Sequence, residues 1–385
     1  MKKIISFALT LVLALGCLTG CGGNVADDNA EAVFKIGGSG PLTGGAAAYG
    51  QAVKNGAEIA VAEINAAGGI NGVMIEFKME DDEHDAEKGV NAYNSLKDWG
   101  MQIMMGTVTS APCIAVEAEA SNDNMFLITP SGTAVDCISG SNAFRLCFSD
   151  PAQGTKSAEY IGTNKLASKV AIIYDSSDPY SSGICESFKA EAANQGITVV
   201  ASEAFTADSK TDFKVQLQKA KDSGAELLFL PIYYQEASLI LQQANDIGFK
   251  PQIFGCDGLD GILGVENFDV SLAEGVMLLT PFAADAQDDL TKKFVATYAE
   301  KFNGEIPMQF AADAYDAIYA IKAAIEKSGA TADMSASELC DAMSAAMTEI
   351  SVTGLTGTIT WDASGEPNKQ PKAVVIENGA YKAME

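Results

Sequence analysis

Three stretches gather groups able to hold a small charged molecule. Gly106-Thr107-Val108-Thr109-Ser110-Ala111-Pro112 follows an apolar run, Met101 to Met105. Pro112 suits the first turn of a helix running to about Asn122, so free backbone N–H groups and the Ser110 hydroxyl meet at a helix N-terminus, a carboxylate-binding arrangement. Pro130-Ser131-Gly132-Thr133 repeats the theme after the strand-like run Met125 to Thr129. One hydroxyl at a helix start is ordinary capping. Two in succession, each at the carboxyl end of a strand, point to a ligand. The third stretch is Gly37 to Tyr49, a Gly/Pro/Thr loop between the short run Phe34 to Ile36 and a helix with Val53, Ala57, Ala60, Val61 and Ile64 on one face. Gly38 and Gly40 begin a dinucleotide-type fingerprint, but the third glycine is misplaced and Pro41 intrudes.

Other chemistries find little support. His84 is the only histidine, set in the acidic loop Glu80 to Asp85, which leaves little room for a Ser-His-Asp triad or a multi-histidine metal centre. The EF-hand spacing is absent as well, so His84 reads as part of a solvated turn and no metal or cofactor is expected. No G-x-S-x-G nucleophile elbow occurs. Arg145, the only arginine, sits beside a loop expected to cross between lobes; a fixed structural ion pair is favoured over an anion clamp. The net charge of −26 repels nucleic acid and anionic lipid surfaces. Cys113, Cys137, Cys147, Cys185, Cys256 and Cys340 form no C-x-x-C pair, and buried free thiols are favoured; Cys137 with Cys147 is the nearest candidate disulfide.

The elements that position these groups alternate strand and helix. Gly68 and Gly69 stop the first long helix, and Val73 to Met79 starts the next strand. That order builds an open, mostly parallel α/β sheet whose ligand crevice lies at the strands' carboxyl ends, beside the Gly37–Tyr49 loop. A second α/β run begins near Ala152. It carries Tyr180 at a helix start, Tyr233-Tyr234 after the strand Glu226 to Pro231, and Asp257 after the strand Gln252 to Phe254.

The stretch GPLTGGAAAYGQAVKNGAEIAVAEINAAGGING resembles the opening of the type I substrate-binding proteins that serve branched-chain amino acid ABC transporters. The similarity runs from Phe34 to near the end, strongest from Ile36 to Val73 and weakest after Met308. It implies two Rossmann-like lobes joined by several hinge crossings, with no catalytic activity. Domain limits expected on this basis are a signal peptide at 1–20, a tether at 21–32, a first lobe of 33–148 with 281–333, and a second of 149–280 with 334–385. It further implies that Ser110, Ser131 and Thr133 hold the α-carboxylate and α-amino groups of an amino acid. Tyr180 and either Tyr233 or Tyr234 line the ligand, Asp257 meets its ammonium, and Phe310 flanks its side chain, with Tyr49 entering from the crevice loop. Lys2 and Lys3 before the apolar run Ile4 to Leu15 read as an export signal, and Leu18-Thr19-Gly20-Cys21 resembles a bacterial lipobox, so Cys21 is the expected lipidation site. The implied protein is a monomer outside the cell membrane, lipid-anchored, passing a leucine, isoleucine, valine or related amino acid to ABC permease subunits. A sensor of the same fold and an exported enzyme are the alternatives.

Overall fold

Short apolar runs, many of them ending in glycine, proline or hydroxyl residues, form two mostly parallel sheets. The computed structural model describes residues 32–384; the expected signal peptide, most of the tether and Cys21 lie outside the described residues. In the first sheet the strands stand in the order Met74–Asp81, Val33–Gly40, Ile103–Met105, Leu127–Thr129, Ala143–Arg145, all parallel. In the second, Thr198–Phe205, Lys169–Asp175, Leu227–Leu230, Gln252–Gly255 and Met277–Thr280 repeat that order, and Lys372–Glu377 and Ala380–Ala383 add two antiparallel strands at the far edge. The central strands are buried along their length, as parallel strands covered by helices on both faces must be.

In each sheet the first strand of its run has neighbours on both sides, and the chain order reverses there. Such a switch point leaves a crevice at the carboxyl ends. Helices start where those strands end, so their N-termini converge on the space between the sheets. The helix Ala47–Ala66 lies along Gln309–Ser328, with Gly56 against the Ala311 carbonyl, so close that a Cβ there would meet the oxygen at 2.0 Å.

The chain passes between the sheets at 146–149, at 281–288 and at 360–371. The third passage corrects the expected limits, which gave all of 334–385 to the second lobe. Helix Ala336–Met347 buries Leu339, Cys340, Met343 and Met347 against Gln309–Ser328 and the first sheet. Asn124 Nδ2 donates to Asp341 Oδ1 at 2.9 Å. The hairpin Val352–Gly354 and Gly357–Ile359 stays on the same side, because Asp316 in the buried helix accepts from Leu355 N and Thr356 N at 2.8 and 2.9 Å. Helical periodicity locates such a segment but does not say which core receives its apolar face. Among the described residues no helix is long and apolar enough to cross a membrane, and all six cysteines named above are buried free thiols.

Candidate functional site

Helix starts bring the polar groups to one place. Ser110 is the first residue of the helix Ser110–Asp123. Ser131 and Thr133 occupy the loop after the strand Leu127–Thr129. Tyr180 follows Pro179 at the start of its helix, where the Asp178 side chain caps the Tyr180 N–H at 3.0 Å. Tyr233 precedes the helix Tyr234–Asp246, Asp257 follows the strand Gln252–Gly255, Tyr49 lies in the first turn of Ala47–Ala66, and Phe310 in the first turn of Gln309–Ser328. All eight, drawn from both halves of the chain, line a single small cavity with Val108, Thr109 and Gly258.

Four rings close it. Tyr180 and Tyr233 stack with centroids 4.8 Å apart, Tyr49 meets Phe310 at 4.5 Å, and Tyr49 meets Tyr233 at 5.6 Å. The cavity that remains measures about 10 Å³, room for about one water molecule. The two halves are therefore closed on each other. Tyr49 spans them: its hydroxyl donates to the Gly258 carbonyl and accepts from Tyr234 N at 3.2 Å. Of the paired tyrosines left open by the sequence, Tyr233 faces the cavity, while Tyr234 turns its ring away and accepts from Ala48 N at 3.3 Å.

The polar groups fall into two sets. From the first half come Ser110, whose Oγ lies 3.5 Å from Thr133 Oγ1 and accepts from Ala134 N, and Ser131, whose Oγ donates to the Val108 carbonyl at 2.7 Å. From the second comes Asp257, with Oδ1 accepting from Tyr180 Oη at 2.8 Å. Burial pushes the Asp257 carboxyl up to about 7, against the pull of its hydrogen bond from Tyr180. Burial likewise raises the phenols of Tyr49, Tyr180 and Tyr233. Dipoles and hydroxyls facing a buried acid complement a zwitterion.

Several neighbours were not evident as site residues in the sequence. Asp150 and Gln153 share a face at the start of the helix Asp150–Thr163. Gln153 Oε1 accepts from Asp257 N at 3.1 Å, but its Nε2 and both Asp150 carboxylate oxygens are buried without hydrogen-bond partners. Gln309 Nε2 donates to the Asp257 carbonyl at 3.3 Å. Asp-Pro opening a helix was the available signal, and it reads equally well as simple capping. His84 does not stand in a solvated turn: its Nδ1 lies 2.8 Å from Thr109 Oγ1 and its ring meets Tyr233 edge-on at 5.3 Å. Arg145 is fully buried, donates to the carbonyls of Gly132, Thr133, Ala134 and Val135, and places Nε 3.3 Å from Glu366 Oε1. It is the structural ion pair expected, and it also grips the loop that carries Thr133. Among the described residues no group of three or more His, Cys, Asp or Glu side chains is arranged to hold a metal ion.

The model of the periplasmic binding protein family matches residues 33–377. A Leu/Ile/Val-binding protein homolog of Brucella melitensis is 34% identical over 80% of this chain and 82% of its own length. A leucine-, isoleucine-, valine-, threonine- and alanine-binding protein of Pseudomonas aeruginosa is 29% identical over 77% of this chain and 79% of its own. Among solved structures, the substrate-binding protein LivJ of a branched-chain amino acid transporter from Streptococcus pneumoniae, in complex with isoleucine, superposes with a TM-score of 0.82 at 30% identity, covering 91% of this chain and 98% of that one.

Proposed function

The chain belongs to the periplasmic binding protein family, as a substrate-binding protein of the branched-chain amino acid ABC transporter type, and from that premise we propose that it captures a free amino acid between its two halves and delivers it to a permease. The observation that carries this reading is the pairing, in one closed cavity, of Ser110, Ser131 and Thr133 from the first half with Asp257 from the second. In this reading the hydroxyls and helix N-terminus take the α-carboxylate, and Asp257 takes the ammonium. Tyr49, Tyr180, Tyr233 and Phe310, whose rings fill the cavity here, move apart to surround the side chain, for which leucine, isoleucine and valine are the leading candidates. The ligand contacts both halves at once, so it stabilises the closed form that a permease recognises. No covalent chemistry is involved.

Calorimetry against the twenty amino acids, on protein unfolded and refolded to strip carried-over ligand, tests the proposal. A saturable heat with at least one aliphatic amino acid is expected; none with any amino acid overturns it. The same titrations carry a pH signature. Asp257 is protonated below about 7 because of burial, and an ammonium needs the carboxylate. Around it stand Tyr180, Gln153 and Asp313, with Asp150 nearby, and the acids among these oppose its ionisation. Affinity is therefore full above about pH 7 and falls on acidification, by about tenfold for each further pH unit. An affinity equal at about pH 5 and about pH 8 removes Asp257 from the role of counter-ion.

Outside the cytoplasm the protein is held, in this proposal, by lipid on Cys21 after cleavage before that residue, the preceding Leu18-Thr19-Gly20 serving as recognition signal. Two or more acyl chains are required for a stable hold. Mass spectrometry of the native N-terminus should show a diacyl- or triacyl-cysteine; an unmodified Cys21 excludes the anchor.

A further inference from the structure

Tyr234 closes off a second and much larger space. Its ring meets that of Tyr49 at 5.0 Å, yet it lines a cavity of about 740 Å³ that shares no lining residue with the small one. That volume lies within the range of small-molecule sites. Both halves of the chain build the walls: Ala47, Ala48 and Met308 on the first-sheet side, and Leu263, Leu278 and Val374 on the second. The lining is predominantly apolar, and its polar groups are unbalanced. Asp260, Glu266 and Asp285 face it against one cation, Lys382.

Asp260 is the anomaly. It is 5% exposed, its Oδ2 accepts from Gln309 N at 3.0 Å, and its Oδ1 is buried without a hydrogen-bond partner. No lysine or arginine pairs with it among the described residues. A buried carboxylate without a cation is costly unless something supplies one. Beside it, Tyr381 accepts from Gly261 N at 3.2 Å, and Tyr381, Tyr234 and Phe282 present aromatic rings to the same space, a setting that favours a bound cation.

We propose that this cavity is a second ligand site, separate from the amino acid cleft, for a small apolar amine bound as its ammonium, with the hydrocarbon body between the two halves and the head at Asp260. Burial raises the Asp260 carboxyl to about 6, which leaves it mostly ionised at neutral pH and able to pair. Because the walls come from both halves, occupancy favours the closed arrangement. Gln309 joins the sites physically, with its N–H on Asp260 and its Nε2 on the Asp257 carbonyl. The two ligands therefore strengthen each other's binding by one common factor.

The probes are hexylamine, 1-hexanol and hexanoate, titrated calorimetrically into the full-length protein in detergent, first ligand-free and then saturated with its amino acid. Hexylamine should bind, 1-hexanol at least about tenfold more weakly, and hexanoate not at all, since only the amine supplies the missing charge. Asp260→Asn should weaken hexylamine at least about tenfold. Ala284→Trp, which fills the half-buried wall, should abolish its binding while the amino acid still binds. Saturation with amino acid should raise hexylamine affinity, and an unchanged affinity overturns the coupling. Absence of hexylamine binding, undiminished binding in both variants, or loss of binding on saturation with amino acid each overturns the proposal. The ligand-free titration reads the second site even if the cleft takes no amino acid.

Discussion

Asp257→Asn should weaken amino acid binding by well over tenfold and abolish most of the preference for an amino acid over its deaminated analogue. Asp257 is 3% exposed and stands where the second half closes on the first. Truncating one partner of a buried, hydrogen-bonded charge pair costs on the order of 2–5 kcal/mol. Asparagine keeps the shape, and its carbonyl oxygen still accepts from Tyr180 Oη, which now donates to Oδ1 at 2.8 Å. Only the charge is lost. Stability without ligand should move the other way or not at all. A carboxyl raised to about 7 by burial favours its protonated form in the folded protein. It therefore withdraws stability as pH rises from the ordinary carboxylate value towards 7, and asparagine removes that penalty. Calorimetry for affinity and a thermal melt of the stripped protein separate the two effects. Near-wild-type affinity would show that the ammonium is held elsewhere or that the ligand has none.

Part of this candidate site was legible at the strand ends, and part only through the resemblance. Most of the expected ligand residues stand past a short apolar run, whereas Phe310, at the start of a helix that follows another helix, was expected only from the resemblance. The structure lines one cavity with all eight, near the aligned carboxyl ends of the parallel strands. Residues whose position depends on tertiary contact were less legible. Tyr233 and Tyr234 are adjacent and alike in type, and only the turn into the helix Tyr234–Asp246 sends one ring to the cleft and the other to the larger cavity. His84 looked solvent-facing because its neighbours are acidic, yet the closed second half brings Tyr233 over it. Asp150 and Gln153 were hidden because their signal is a helix start and nothing local gives the direction of its face. The helix Ala336–Met347 has an unambiguous cap, with Ser335 Oγ accepting from Glu338 N. Its apolar stripe fits either core, and the one it joins is set by Asp316 and the hairpin that follows.

Arg145→Met should cost on the order of 1.5–3 kcal/mol of stability, the range for losing hydrogen bonds to a buried charged group, and lower the melting temperature by several degrees. The guanidinium is 0% exposed and serves two segments. Nε lies 3.3 Å from Glu366 Oε1, on the third passage between the sheets, where Arg145 N also donates to the Gly365 carbonyl at 3.1 Å. Nη1 and Nη2 donate to the successive carbonyls from Gly132 to Val135. In a trans peptide the N–H points opposite to its carbonyl, so drawing the Gly132 carbonyl back turns the Thr133 N–H away from the guanidinium. Methionine fills the volume but removes the guanidinium's charge-assisted hydrogen bonds to those carbonyls, leaving Thr133 O and Ala134 O with only the backbone N–H groups of Asp150 and Cys137, and it takes the cation from the half-buried Glu366. Lysine should not rescue the protein, since a single ammonium lacks the planar set of donors that reaches several carbonyls at once. Adding Glu366→Gln to Arg145→Met should recover part of the loss, because it removes the carboxylate that has lost its cation and does not restore the hydrogen bonds to the loop carbonyls. Amino acid affinity should fall in Arg145→Met even at temperatures where the protein remains folded, because the Thr133 loop has lost its support. Chemical denaturation and calorimetry below the melt measure both. A stability within about 1 kcal/mol of wild type would mean that the loop holds its shape without the arginine.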